Sequence, residues 1–256
     1  MTDLFEEVEE QLRSERYSEL FRRALPWVLA LAAAALAITL GAWGWQQYRQ
    51  QISDKASEQY NSGLEAASQG RADQAAQLWG EVAKSGSGAY KSLALMQLAG
   101  LKMSPGHEDT KAAVVLLDQA AAAAPDDLLG DAARLKSALA ILDTAPYADV
   151  EGRLAPLMKD GHPYRVQARE ALAFAKLLKG DTAGARSDFV VIGATLDAPE
   201  SARQRAGAAV NLIDSGSAKM VPGAVKAALA TPPPALVAPG GMPILPEAQE
   251  QAPPQQ

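Results

Sequence analysis

Three hydrophobic patterns follow one another along the chain. Residues 24–45, ALPWVLALAAAALAITLGAWGW, contain no charged side chain. At 1.5 Å per residue they make about 33 Å of helix, enough to cross a hydrocarbon core of about 30 Å. Trp27 stands near one end, and Trp43, Trp45 and Tyr48 near the other, where amphipathic rings prefer to meet the bilayer surface. Pro26 is expected in the first turn of this span, where a missing N–H costs little. A cleaved signal peptide is the rival reading. Its apolar core would be shorter and its leading region basic, whereas this one reads DLFEEVEEQLRSER. The pattern therefore predicts an uncleaved transmembrane helix over 24–45.

Ahead of the span, residues 1–23 form an arm with Phe5, Val8 and Leu12 on one helical face. Glu9–Arg13 and Glu19–Arg23 are i,i+4 pairs in the favourable order. Arg13, Arg16, Arg22 and Arg23 precede the span, against Arg49 and Lys55 just after it. Counting Lys and Arg near the ends places the N-terminus in the cytoplasm and the bulk of the chain across the membrane. Within the span Ala33, Ala37 and Gly41 recur every fourth residue, with Gly44 on nearly the same face. Such a stripe lets a second helix approach closely in lipid.

From Ile52 to about Asp214 apolar helical segments alternate with short breaks, which calls for a search for internal repeats. LAFAKLLKGDTAGARSDF, residues 172–189, supplies a template: Gly180, Ala185 and Phe189. GRADQAAQLW repeats it as Gly70, Ala75 and Trp79, with Gly63 seven residues earlier. A third copy, TKAAVVLLDQAAAAAP, offers Ala113 and Leu117. Ala113 lies 38 residues after Ala75 and 72 before Ala185, which leaves room for one degenerate unit split near Pro146. Gly180 is expected to end one helix in a left-handed conformation, and Asp181 and Thr182 to cap the next. Ala185 then permits close approach within a pair, and Phe189 fills the space between pairs. Pairs of this kind leave apolar faces open and must stack. A last helix over about 200–214 would cap the stack, with Arg203 and Arg205 among its apolar positions.

The expected fold is thus all-α: a single N-terminal transmembrane helix, then a helix-pair solenoid over 46–214. Nine of the sixteen prolines fall after Ser215, so residues 215–256 are expected to form a disordered Pro-rich tail. The net charge is −6 and the sequence pI about 5.1, which argues against a nucleic-acid partner. There is no cysteine, which excludes disulfides, thiolate metal sites and thiol catalysis. His107 and His162 have no partner at metal-ligand spacing. GSGAYKS, residues 86–92, has Tyr90 where a phosphate-binding loop needs glycine before its lysine. No constellation meets the geometry of an active site or of a cofactor site, so the chain reads as a non-enzyme.

The repeats resemble tetratricopeptide repeats, best over the pair around Gly180. The order of features narrows this further. The acidic arm, the span ending in GAWGWQQY and the stretch REALAFAKLLKGDTAGARSDF together resemble the YfgM-like ancillary subunits of the bacterial Sec translocon. That resemblance implies a non-enzymatic inner-membrane scaffold with a periplasmic repeat domain. Its implied partners are the SecYEG translocon, a membrane-anchored prolyl-isomerase-like chaperone, and exported polypeptides. Gln167, Glu170 and Phe174 would then face the groove of the fourth pair. Two other readings share the architecture: an adaptor in envelope or peptidoglycan assembly working through the tail, and an anchor whose arm sequesters a cytoplasmic regulator.

Overall fold

The computed structural model of the chain describes residues 3–104 and 108–231, with side chains from Pro26 onward except Val28. His107, the side chains of the arm, and the tail beyond residue 231 lie outside the described residues. Among the described residues there are ten α-helices, two 3-10 turns and no strand. The chain divides into two compact units, residues 1–133 and 134–256.

The first unit begins with α1 (Asp3–Ser68), one uninterrupted helix of 66 residues with Pro26 inside it. Arm, span and first repeat helix were expected as successive elements; here they are one. Pro26 therefore stands in a helix interior, not in a first turn, which corrects that expectation. No charge interrupts residues 24–45, and good helix formers continue on both sides, so local propensity carries the helix through. α1 contains a stretch apolar enough to cross a bilayer, and none of it is buried within the protein. Trp27, Leu31, Ile38 and Trp43 are all more than 60% exposed. A core helix of a soluble protein buries such residues. This helix is instead compatible with a single-pass membrane anchor.

The last turns of α1 pair with α2 (Ala72–Ser85), followed by α3 (Gly88–Lys102) and α4 (Thr110–Ala123). Ala56, Ala66, Ala75, Trp79 and Val82 form the core of the first pair, closed by Ala94 of α3. Tyr60 sits between Trp79 and Tyr90, with ring centroids 6.4 and 5.9 Å away. Polar ties pin this aromatic group: the Trp79 Nε1–H donates to the Tyr60 carbonyl at 3.2 Å, and the Tyr90 hydroxyl donates to Ser57 Oγ at 2.8 Å. α3 and α4 are joined through buried Ser92, whose hydroxyl donates to the Ala120 carbonyl. Ala113 and Leu117 are buried with Ala99 between these two helices.

α5 (Asp127–Ala140) starts within the first unit and ends in the second. Then come α6 (Tyr147–Leu154) with a 3-10 turn (Ala155–Met158), α7 (Arg165–Leu178), α8 (Thr182–Ala194) and α9 (Glu200–Asp214). Pro146 caps α6, so the degenerate third pair splits where the sequence places the break. Two cores flank α7. One gathers Leu135, Ala138, Val150, Leu154 and Leu157 against Ala168, Ala171, Leu172 and Ala175. The other gathers Val166, Ala173 and Leu177 around Phe189, Ile192 and the small residues of α9.

The tail boundary needs correction. Residues 217–220 form a 3-10 turn and α10 spans Val221–Ala230, packed against α7. Eight of the nine late prolines lie at or beyond position 232. The ninth, Pro222, occupies the opening turn of α10, where proline is favoured.

Candidate functional site

The connections inside the first and fourth pairs are the same device 110 residues apart. The Gly70 N–H donates to the Ala67 carbonyl at 3.0 Å and Arg71 N–H to the Ala66 carbonyl at 2.9 Å. The Gly180 N–H donates to Leu177 at 3.0 Å and Asp181 N–H to Lys176 at 2.9 Å. Both glycines are left-handed, at φ 75° and 87°, completing the paired bonds of a Schellman end. Asp181 then accepts from the Gly184 N–H at 2.8 Å and caps α8; Thr182 opens that helix rather than capping it.

The same offset maps Ala75 onto Ala185, Trp79 onto Phe189 and Gly63 onto Ala173. All six are buried, the five other than Gly63 with no more than 2% of their surface accessible. A methyl group at Gly63 would lie 2.4 Å from Trp79 Nε1. The larger indole thus requires glycine opposite it, whereas the benzyl ring of Phe189 leaves room for alanine.

Charged side chains in the second unit tie helices together, both within the fourth pair and from it to α9. Glu170 is only 8% exposed and accepts two hydrogen bonds from Arg205 of α9, at 2.7 and 2.8 Å. It is committed to an internal ion pair and is not available at a groove surface. Asp188 of α8, likewise 8% exposed, accepts from Lys176 at 2.6 Å and is paired with Arg169 at 3.4 Å. Half of the Glu170 pairing is legible in the sequence, where Arg205 stands among apolar positions; its guanidinium is exposed, and its counter-charge is the buried member of the pair. What the sequence does not reveal is which carboxylate, 35 residues away, supplies it.

At the surface, Arg165 binds Asp197 in two hydrogen bonds of 2.7 and 2.5 Å, and Arg186 binds Asp214 at 2.7 and 3.0 Å. The arginine hydrogen bonds hold Asp197 and Asp214 below the usual carboxylate range. A depressed folded-state pKa stabilises above the unfolded value of about 3.9 and ceases to do so as pH falls through the folded value. Solvent screening keeps each contribution small. The expected result is hydrogen-exchange protection in α9 that is flat from about pH 5 to 8, once corrected for intrinsic exchange, and declines below about pH 4. Arg186→Ala should weaken that decline.

Assigning each α7 residue to its neighbour leaves one stripe open. Val166, Ala173 and Leu177 face the core shared with α8 and α9. Ala168, Ala171, Leu172 and Ala175 face the core shared with α5 and α6. With Arg165, Arg169, Glu170 and Lys176 held in ion pairs, Gln167, Phe174 and Leu178 remain, at i, i+7 and i+11, within roughly 40° of arc. Phe174 is 38% exposed, and its ring meets that of Phe189 edge-on at 5.2 Å. Leu178 joins Gln167 and Phe174 by the same periodicity and was not singled out from sequence. His162 lies beside Gln167 along an open depression of about 510 Å³ that also includes Asp160 and Arg165.

The small-residue stripe of the span, Ala33, Ala37, Gly41 and Gly44, is exposed, with open space where side chains at the glycines would project. Among the described residues no group of three or more His, Asp or Glu stands in metal-binding proximity.

A family model for a tetratricopeptide repeat-like domain matches residues 20–204. No curated protein and no solved structure matches the chain. With paired helices, Schellman ends at Gly70 and Gly180, and a match over most of its length, the chain belongs to the tetratricopeptide repeat-like domain family.

Proposed function

We propose that this protein is a non-enzymatic scaffold of the bacterial inner membrane, with its N-terminus in the cytoplasm and its repeat domain in the periplasm. Its family works through protein–protein binding. The observation that carries the membrane half of this reading is α1, in which an exposed apolar span continues into the first repeat helix. A tether of this kind raises the local concentration of a membrane partner, so each individual contact can be weak. The resemblance of arm, span and repeats to YfgM-like subunits supplies the finer assignment: an ancillary subunit of SecYEG. It passes exported polypeptides to periplasmic chaperones beside a membrane-anchored prolyl-isomerase-like protein. Ala33, Ala37, Gly41 and Gly44 make the contact within the bilayer, and Gln167 and Phe174 belong to the groove.

Purification of the full chain in mild detergent, with quantitative identification of co-purifying proteins, tests this. Translocon subunits are expected with the native protein. They should fall at least about tenfold when Ala33, Ala37 and Gly41 are replaced by leucine, which closes the surface that small residues leave open. Equal recovery from both would remove the bilayer contact. No translocon subunit in either would remove the Sec assignment.

A further inference from the structure

The open stripe of α7 already has a neighbour within the chain. α10 packs against α7 and against the 3-10 turn that precedes it. Every other face of α7 is occupied by α5 and α6, by α8 or by α9. This leaves α10 for the face that carries Gln167, Phe174 and Leu178. Its own composition is unusual for a surface helix. VPGAVKAALA has a single charge, Lys226, yet none of its ten residues is buried. Val221, Pro222 and Val225 are half-buried, and the remaining seven are exposed, Leu229 by 56%. A ten-residue helix is too short to persist alone in water, so it depends on α7. It also buries little there, so its docking is weak and relies on the short tether from α9.

We propose that α10 is a displaceable internal ligand that covers the open face of α7 until a partner helix of similar chemistry replaces it. α10 itself shows what the face accepts: a short, weakly cationic helical segment rich in Ala, Val and Leu. A longer segment of this type would bury more apolar surface than α10 does and so displace it, despite the advantage of the tether. This rests on the reading of the repeat array as a binder of polypeptide segments, and it identifies the segment and the face.

The test uses the full chain in detergent micelles. Hydrogen exchange on the native protein comes first: amides of α10 should exchange at least about tenfold faster than those of α9, as a locally opening element does. Val225→Asp places a charge on the docked side and should undock α10 while leaving α7–α9 protected. A fluorescein-labelled peptide of residues 217–231, followed by anisotropy, should bind the Val225→Asp chain at least about tenfold more tightly than the native chain. Adding Phe174→Ala should abolish that gain. Exchange of α10 as slow as that of α9, equal peptide affinity for both chains, or no binding to either overturns the proposal. Its failure is separable from that of the scaffold reading. Envelope proteins captured equally by native and Val225→Asp chains would remove the cover and leave the scaffold. Tight peptide binding without any captured envelope protein would do the reverse.

Discussion

Gly63→Ala should destabilise the first helix pair by about 2 kcal/mol, and Trp79→Phe should remove most of that penalty. The added methyl group would sit 2.4 Å from Trp79 Nε1 and 2.7 Å from its Cδ1. An indole that is 2% exposed, packed against the Tyr60 ring and hydrogen-bonded to the Tyr60 carbonyl, has little freedom to retreat. Trp79→Phe alone should cost about 1–2 kcal/mol through lost volume and the lost bond to the Tyr60 carbonyl. The double substitution recreates the Ala173–Phe189 combination of the fourth pair. It should therefore be close in stability to Trp79→Phe alone, a coupling of at least about 1 kcal/mol. Urea unfolding of the four proteins, followed by far-ultraviolet circular dichroism, measures the cycle. Additive costs would show that the two positions are not exchanging volume.

The second large effect separates two phenylalanines whose rings touch. Phe189 has no exposed surface and fills the core between α7, α8 and α9. Phe189→Ala should cost about 3–5 kcal/mol. Phe174→Ala, at a site 38% exposed, should cost about 1 kcal/mol, part of it from the lost edge-on contact. Stability alone would rank Phe174 as unimportant. Peptide binding to the open face of α7 should rank the two the other way, because Phe174 stands on that face and Phe189 beneath it. Unfolding midpoints for both variants, set beside anisotropy titrations of Phe174→Ala, give the comparison. A cost for Phe174→Ala equal to that for Phe189→Ala would make it a core residue and remove it from the binding face.

Features carried by local chemistry were legible in the sequence. Gly180 and Asp181 announce a helix end and a cap because only a few residue types perform those tasks, and Gly70 repeats the first of them at the same offset. Ala113 and Leu117 could be placed by periodicity even without a glycine landmark. What depended on distant partners was not legible. Glu170 reads as a groove position on α7 until Arg205 is brought alongside it. α10 was obscured by its neighbours: proline density is averaged over a window, and the prolines from 232 onward hid a ten-residue segment whose own proline favours helix initiation. The unity of α1 escaped for a related reason. Changes in composition at residues 23 and 45 mark changes of surroundings, not of backbone, and a helix passes through both without a break.

That continuity gives the apolar span and the first repeat pair a shared angular phase. From Trp45 to Ala56, the first buried residue of the pair, eleven residues advance the helix by about 16 Å and three full turns. Each residue added or removed there swings the α2 side of the first pair by about 100° around the helix axis and shifts it by about 1.5 Å. In the proposed membrane-anchored arrangement the length of that spacer works as a compass setting: it selects which neighbour in the membrane plane the first pair is turned toward, while its height above the lipid changes far less.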